Sequence, residues 1–266
     1  MQISKAELKY LASLSRKKVR SEERKFLLEG WRALKEVINS PSVVEMVAVL
    51  PRYLEDPDYA KLLDQLKQRR TPIKEISQGD LKKVADTVHS QGVVALVRQR
   101  QFALDDRLVE GARLIVAADE VNDPGNLGSI LRSADWFGAD GVLLGKGCVE
   151  LYNEKVVRST VGSIFHIPVA EGLDLSEALN AMKKRGFLIV ALSGDGPKRY
   201  SEVDVKGKTV FVLGNEAHGV SAGVRRVADD IVKIPRFGKA ESLNVGVACG
   251  IMLAYARAAT KQYETG

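Results

Sequence analysis

Two cysteines in 266 residues, Cys148 and Cys249, lie far apart and each in an apolar stretch. The three histidines form no His-x-x-x-His pair. This leaves no disulfide framework and no metal-ligand spacing, so both thiols read as reduced and structural and no metal is expected. No apolar run is long enough to span a bilayer. The opening, MQISKAELKYLASLSRKK, lacks the apolar stretch of a secretory signal. The expected location is the cytoplasm, away from membranes. Fingerprint loops are missing too. There is no G-x-G-x-x-G between strand and helix, no G-x-x-x-x-G-K-[ST] and no G-x-S-x-G elbow. Gly194-Asp195-Gly196 is a turn, too short to count as a dinucleotide signature.

What is present is an ordinary globular composition, 45% hydrophobic and 28% charged, with length for two modest domains or one large one. The net charge of +6 is unevenly spread. Residues 1–100 carry 20 Lys/Arg against 13 Asp/Glu, and residues 101–266 carry 20 against 21. All the positive excess therefore lies in the first part. That fits a module that holds a polyanion joined to a near-neutral module that does chemistry, although a basic excess of this size can also be a solvated surface. Arg16, Lys17, Lys18 and Arg20 form the densest cluster and are the candidate phosphate contacts.

The first hundred residues read as a small α/β unit. Apolar spacing predicts a helix over Phe26–Ile38, a strand over Val43–Leu50, a helix over Asp58–Lys67, a short strand over Ile73–Ile76, a helical turn over Gly79–Ala85 and a buried strand over Gly92–Val97. The polar stretch Arg98–Gly111 is the expected boundary. We divide the chain at 1–105 and 106–266. The second part alternates strands (114–121, 141–145, 165–170, 187–193, 209–214, 230–235) with helices (127–137, 153–162, 175–185, 221–227, and 243 to about 263). Such alternation predicts a mostly parallel α/β sheet covered on both faces.

Three loops follow strands, and ligands in open α/β sheets gather at carboxyl strand ends. The first, Asp123-Pro124-Gly125-Asn126-Leu127-Gly128, leads to Arg132 on the next helix. Asn126 reads as a cap, and Arg132 as either an anion contact or a solvated helix residue. The second, Leu213-Gly214-Asn215-Glu216-Ala217-His218-Gly219-Val220-Ser221, places a carboxylate on a glycine-rich turn, with Ser221 as a helix cap. His218 has no nearby orienting partner and reads as a loop residue. The third runs from Ile234-Pro235 to Ser242-Leu243-Asn244, with Ser242 as cap of a final helix that is apolar nearly all round. Gly246, Ala248, Gly250 and Ala254 on that helix predict close packing, either inside the chain or across a dimer interface.

Taken in order, NDPGNLGSILRSADWFGADGV (122–142), VFVLGNEAHGVS (210–221) and IPRFGKAESLNVGVACGIMLAY (234–255) resemble the three signature motifs of the SpoU family in the SPOUT methyltransferase superfamily. SRKKVRSEERKFLLEGWRALKEVI (15–38) and TVHSQGVVALV (87–97) resemble, more loosely, the family's small substrate-binding domain. The resemblance implies a deep trefoil knot in the C-terminal segment, which physical rules alone disfavour. It implies S-adenosylmethionine as cofactor, bound by Ser193, Leu213, Gly214, Asn215, Gly219, Ile234 and Leu243. It also implies a homodimer and methylation of a ribose 2′-hydroxyl in RNA, of 23S ribosomal type, with methylation of tRNA or of a base as the alternative. Asn126 and Arg132 match the first motif, Glu216 the second, Ser242 and Asn244 the third, and these are the expected catalytic set. Gly246 stands where many members have Ser. A guanidinium is a poor general base, so Arg132 is expected to grip the phosphate beside the target ribose and stabilise charge on its 2′-oxygen. The competing class is a binding protein that clamps RNA without turnover.

Overall fold

A computed structural model describes residues 1–85 and 91–260. In chain order these form α1 (Lys5–Ser13), α2 (Lys17–Glu23), β1 (Lys25–Glu29), α3 (Trp31–Ile38), β2 (Val44–Val49), α4 (Pro57–Gln68), β3 (Ile73–Glu75), α5 (Gln78–Val84) and β4 (Val93–Arg98). Next come α6 (Asp106–Val109), β5 (Leu114–Ala118), α7 (Pro124–Trp136), β6 (Gly141–Gly145), α8 (Glu154–Thr160), β7 (Val169–Leu173), α9 (Leu175–Lys184) and β8 (Leu188–Leu192). The chain finishes with β9 (Lys198–Arg199), β10 (Thr209–Leu213), α10 (Ala222–Val227), β11 (Asp230–Lys233) and α11 (Val245–Thr260). Parts of two sequence predictions, residues 87–90 and the helix beyond 260, lie outside the described residues. The chain divides into two compact units: Met1–Arg100 with Tyr152–Phe165, and Gln101–Leu151 with the chain from His166 onward.

The first unit is built on a four-stranded mixed sheet in the order β1-β4-β2-β3. Phe26–Leu28, predicted as helix, are strand: Leu27 pairs with Leu96 and Phe26 with Val97 of β4. A short apolar run fits either period, and here the ladder decides it. Gly30, at φ +93, breaks the strand so that α3 can begin at Trp31. That helix buries Trp31, Leu34, Val37 and Ile38, each worth roughly 1.5–3 kcal/mol when removed from water. The Phe26 ring lies tilted at 4.7 Å from Tyr152 and stacks at 6.4 Å on Phe165. The Tyr152 hydroxyl accepts from the Arg100 amide and donates to the Arg100 carbonyl, both at 2.8 Å. These contacts hold α8 to β1.

The basic cluster needs one correction. Arg16, Lys17 and Lys18 are exposed at the start of α2. Arg20 is only 3% exposed and donates to the carbonyls of Leu14 and Ser15 at 2.8 and 2.7 Å. It closes the turn between α1 and α2, so its guanidinium is a structural donor and not a phosphate contact.

The second unit is a seven-stranded parallel sheet in the order β7-β6-β5-β10-β8-β11-β9. Every residue of β5, β6 and β10 is buried, as covering on both faces requires. Strand order runs outward from β5 through β6 to β7 on one side. On the other side stands β10, so β5 and β10 form the switch point where an open sheet leaves a crevice. The expected strand 165–170 starts later, at Val169, after a 3-10 turn over Ser163–Phe165.

Helices α7 and α11 pack side by side. A Cβ on Gly246 would stand 2.7 Å from the Ser129 Cβ, and one on Gly250 would stand 3.8 Å from the Ser133 hydroxyl. Arg257 donates through Nε to the Phe137 carbonyl at 2.6 Å. The glycines of α11 therefore serve packing inside the chain. A second stripe of the same helix stays uncovered: Val247 is 52% exposed, Ile251 half-buried, and Ala254 and Ala258 exposed.

Candidate active site

The three loops meet at the carboxyl edge of β5, β10, β8 and β11, which are neighbours in the sheet. Asp123 caps α7 by accepting from the Asn126 amide at 2.8 Å. Asn126 is thus not the cap. It occupies the first turn, and its side chain is left for other work. Its Nδ2 donates to Glu216 Oε1 at 2.6 Å, and its Oδ1 accepts from Asn244 Nδ2 at 2.7 Å. Asn244 Oδ1 in turn accepts from the amides of Gly246 and Val247, at 2.9 and 3.2 Å. The cap of α11 is therefore Asn244, not Ser242, because α11 begins at Val245. One chain of hydrogen bonds, Glu216–Asn126–Asn244, joins residues 118 positions apart. Charge-assisted and linked bonds of this kind fix both position and orientation.

Arg132 stands two positions beyond the first full turn after Asn126, about 9 Å further along the axis. It lies on the exposed face of α7 with Ser129 and Trp136, the latter 84% exposed. Among the described residues, neither Arg132 nor Ser242 makes a side-chain hydrogen bond or ion pair. The structure thus joins Asn126, Glu216 and Asn244 and leaves Arg132 and Ser242 outside that network.

A second set of bonds ties the first two loops. Asp119, buried at the end of β5, accepts from the Ser221 amide at 2.6 Å. Asn215 Nδ2 donates to the Glu120 carbonyl at 2.9 Å, and its Oδ1 accepts from the amides of Ala217 and His218 at 2.8 and 3.3 Å. Its side chain is committed inside the chain, so only its backbone is left for a ligand. Glu120 sits at φ +56, an uncommon conformation for a residue with a side chain, and Asn215 helps to hold it there. Gly214 has no room for a Cβ: the Gly219 carbonyl carbon and the Val220 nitrogen would lie 2.2 and 2.3 Å away. Ser221 caps α10 through the Val224 amide, as its position predicts. Beside these loops, Ser193 at the end of β8 accepts from Arg225 Nη2 at 2.6 Å and donates to Asp195. Asp119, Asp195 and Arg225 lie outside the three motifs of the sequence, and Asp123 stands within the first without being read as its cap. Strand ends followed by Asp were the only signal.

Burial pushes the Cys249 thiol up to about 12, and Cys148 is also raised by burial. Both stay neutral thiols. Among the described residues, no group of three or more His, Cys, Asp or Glu could hold a metal, and no helix is long and apolar enough to cross a membrane.

Residues 113–254 match the model of the SpoU rRNA Methylase family, and residues 5–95 match an MRM3-like substrate binding domain. A curated relative, the 23S rRNA (guanosine(2553)-2'-O)-methyltransferase RlmP of Bacillus subtilis, is 30% identical over 249 residues, covering 92% of this chain and 93% of its own. The crystal structure of an AdoMet-bound rRNA methyltransferase from Sinorhizobium meliloti superposes with a TM-score of 0.85 at 28% identity, over 97% of this chain and 96% of that one. A TrmH/SpoU tRNA modifying enzyme from A. aeolicus, 32% identical, reaches a TM-score of 0.51 over 60% of this chain and 86% of its own. Three motifs joined by one hydrogen-bonded chain at the sheet's switch point, and relatives that cover nearly the whole length, lead to one statement: the chain belongs to the SpoU rRNA methylase family.

Proposed function

We propose that the protein is an S-adenosylmethionine-dependent methyltransferase acting on a ribose 2′-hydroxyl of ribosomal RNA, of 23S type. The observation that carries this reading is the bonded series Glu216–Asn126–Asn244, one member from each motif. A chain that only clamps RNA would have no use for so exact a polar arrangement at a strand edge. Ribosomal RNA is favoured over tRNA because the rRNA-named relatives match both parts of this chain and the tRNA-named structure matches 60% of it.

The residues present suit the methyl donor. The segment from Ile234 to Asn244 runs without helix or strand, so its main-chain groups are outside any ladder. Apolar Ile234 and Leu243 lie within that stretch, apolar Leu213 ends β10, and Gly214 after it keeps the backbone bare. Apolar walls with main-chain donors and acceptors fit a nucleoside. Ser193, Leu213, Gly214, Asn215, Gly219, Ile234 and Leu243 are the residues we assign to it, Asn215 through its backbone.

When bound, the donor supplies a methyl group on a positively charged sulfur. The chain's own residues must place the ribose oxygen in line with it. Asn126, held from both sides, sets the distance between the first and third loops. Glu216 keeps one oxygen on Asn126, and we assign its other oxygen to the site. Arg132, on the exposed face of α7, grips the phosphate next to the ribose with a forked, permanently charged group. It also stabilises negative charge growing on the 2′-oxygen. Ser242 is assigned a supporting polar contact.

Residues 1–100 with 152–165, and not 1–105 alone, form the RNA-holding part in this reading, and 101–151 with the chain from His166 onward form the methyl-transfer part. Exposed Arg16, Lys17 and Lys18 contact phosphates. The uncovered stripe of α11, Val247, Ile251, Ala254 and Ala258, together with exposed Trp136, is the face we assign to a homodimer. The C-terminal segment 234–260 is the part expected to be knotted, and the cytoplasm is the expected location.

Labelled S-adenosylmethionine mixed with ribosomal RNA fragments tests the whole reading. The expected product is a single nucleotide whose 3′ linkage resists alkaline cleavage, because a methylated 2′-oxygen cannot attack it. Label incorporated into a base, or into tRNA alone, overturns it.

A further inference from the structure

The carboxyl end of β8 holds a cluster in which only Ser193 has been given a role. Ser193, Asp195 and Arg225 bond to one another in a ring. Arg225 Nη2 donates to Ser193 Oγ at 2.6 Å and to Asp195 Oδ1 at 2.8 Å, and Ser193 donates to that same Oδ1. The loop beneath the ring is fixed by its backbone. The Ser193 amide donates to the Val232 carbonyl at 2.9 Å, and the Gly196 amide to the Ser193 carbonyl at 3.0 Å. A Cβ on Gly196 would stand 2.5 Å from the Val232 carbonyl carbon, so this loop and the end of β11 are in direct backbone contact. On the other side, a Cβ on Gly219 would stand 3.5 Å from Ser193 Oγ. The ring therefore lies between the two loops assigned above to the methyl donor.

The hydrogen-bond inventory says what this ring offers. Ser193 has spent its one proton on Asp195 and one lone pair on Arg225, leaving one lone pair. Asp195 uses only Oδ1. Among the described residues, no other side chain donates to its Oδ2, and the side chain is 69% exposed. Arg225 and Ser193 hold the Asp195 carboxyl well below the usual carboxylate range, at about 2, so it is an anion at any physiological pH. An exposed ion pair on a bare surface contributes little to stability. A carboxylate turned outward at a strand end, with its orientation set by an arginine from the following helix, is better suited to receiving a ligand.

We infer that Asp195 Oδ2 and the remaining lone pair of Ser193 form an acceptor pair for a donor-bearing end of the methyl donor, and that Arg225 is the positioning residue that aims Asp195. This rests on the methyltransferase reading. Two groups of the donor carry such protons: the ammonium of its amino-acid end and the hydroxyls of its ribose. Arg225 does not touch the ligand, and its role is exerted through Asp195.

Calorimetry on the full chain separates the possibilities, using S-adenosylhomocysteine and 5′-methylthioadenosine, which keeps the ribose hydroxyls and lacks the amino-acid end. Asp195→Asn is expected to weaken S-adenosylhomocysteine at least ten-fold. Arg225→Met should weaken it about as much, and Arg225→Lys less, because a lysine restores the charge but not both contacts. A matching loss for 5′-methylthioadenosine assigns the pair to the ribose, and an undiminished affinity for it assigns the pair to the ammonium. In turnover, KM for the donor should rise in all three variants with kcat nearly unchanged, a split that a general loss of fold would not give. Variants that bind S-adenosylhomocysteine within two-fold of the parent overturn the inference and leave the methyltransferase reading standing. A parent chain that fails to bind it at all removes that reading and the inference together.

Discussion

The two units use polar residues in opposite ways. In the sheet with the three motifs, Asn126, Glu216 and Asn244 bond to one another, and Asn215 and Asp119 lock the loops that carry them. In the first unit, Arg16, Lys17 and Lys18 project from a short helix as exposed charge. A fixed network suits a task that depends on tenths of an ångström. Loose cations suit a partner recognised by its phosphate backbone, where affinity comes from counterion release and tolerates slack. The same residue classes are therefore under positional constraint in one unit and only compositional constraint in the other.

Substitutions in the two units should therefore have unlike effects. The largest effect is expected at Arg132: removing a preorganised charge donor costs roughly 10²–10³ in turnover, so Arg132→Ala should lose about that factor. Arg132→Lys should lose most of it because the fork is gone, and near-normal turnover of Arg132→Lys would rule out a forked contact. Asn126→Ala, which severs Glu216 from Asn244, should lower kcat by about 10² while leaving S-adenosylhomocysteine binding within a few fold. If the melting temperature falls as steeply as kcat, the network is only scaffolding.

Exposed charge should behave differently. Replacing Arg16, Lys17 and Lys18 together with Gln should weaken RNA binding and reduce the slope of log affinity against log salt by about 2–3. Donor binding should not change. Arg20→Gln should leave that slope alone and instead destabilise the fold by about 1–3 kcal/mol, since the buried Leu14 carbonyl and the partly buried Ser15 carbonyl lose their donor. Equal slope changes for Arg20 and its neighbours in salt titrations would erase the distinction drawn between them.

Packing supplies a smaller effect, and pH the smallest. Gly246→Val should cost about 1–3 kcal/mol by overpacking against Ser129, measured by denaturant unfolding, and Ser129→Gly should recover part of it. The ring at Asp195 has a folded pKa of about 2 against an ordinary value of 3.8. Its stabilisation is therefore complete above pH 3.8 and disappears as pH falls towards 2. Between pH 5 and 8, unfolding midpoints of the parent and Asp195→Asn should stay parallel.

Much of the second unit was legible in the sequence because each buried strand is a continuous apolar run that ends in a turn. The residues of the network were legible for a different reason: three spaced motifs resembled a known family. What bonds to what was not. Asn126 and Ser242 read as caps by residue type, yet Asp123 and Asn244 hold those positions. A cap is set by where the backbone turns, and several polar residues in a row leave that choice to the loop. Arg20 shows the same limit for charge, since the sequence counts cations without saying which are turned inward. Phe26–Leu28 shows it for period, because three apolar residues before a glycine satisfy helix and strand alike. Helices α1 and α2 passed unread for want of a strong apolar stripe.

Residues 152–165 lie between β6 and β7 in sequence but pack with β1, where Phe26 meets Tyr152 and Phe165. The N-terminal unit is therefore not a detachable cassette. A transplant of residues 1–100 into another member of the family would arrive with one wall of its core missing, and the host would supply a wall shaped for a different guest. Exchanging RNA-holding modules within this family means moving two pieces of chain at once, which couples the inheritance of the binding module to that of the enzyme it serves.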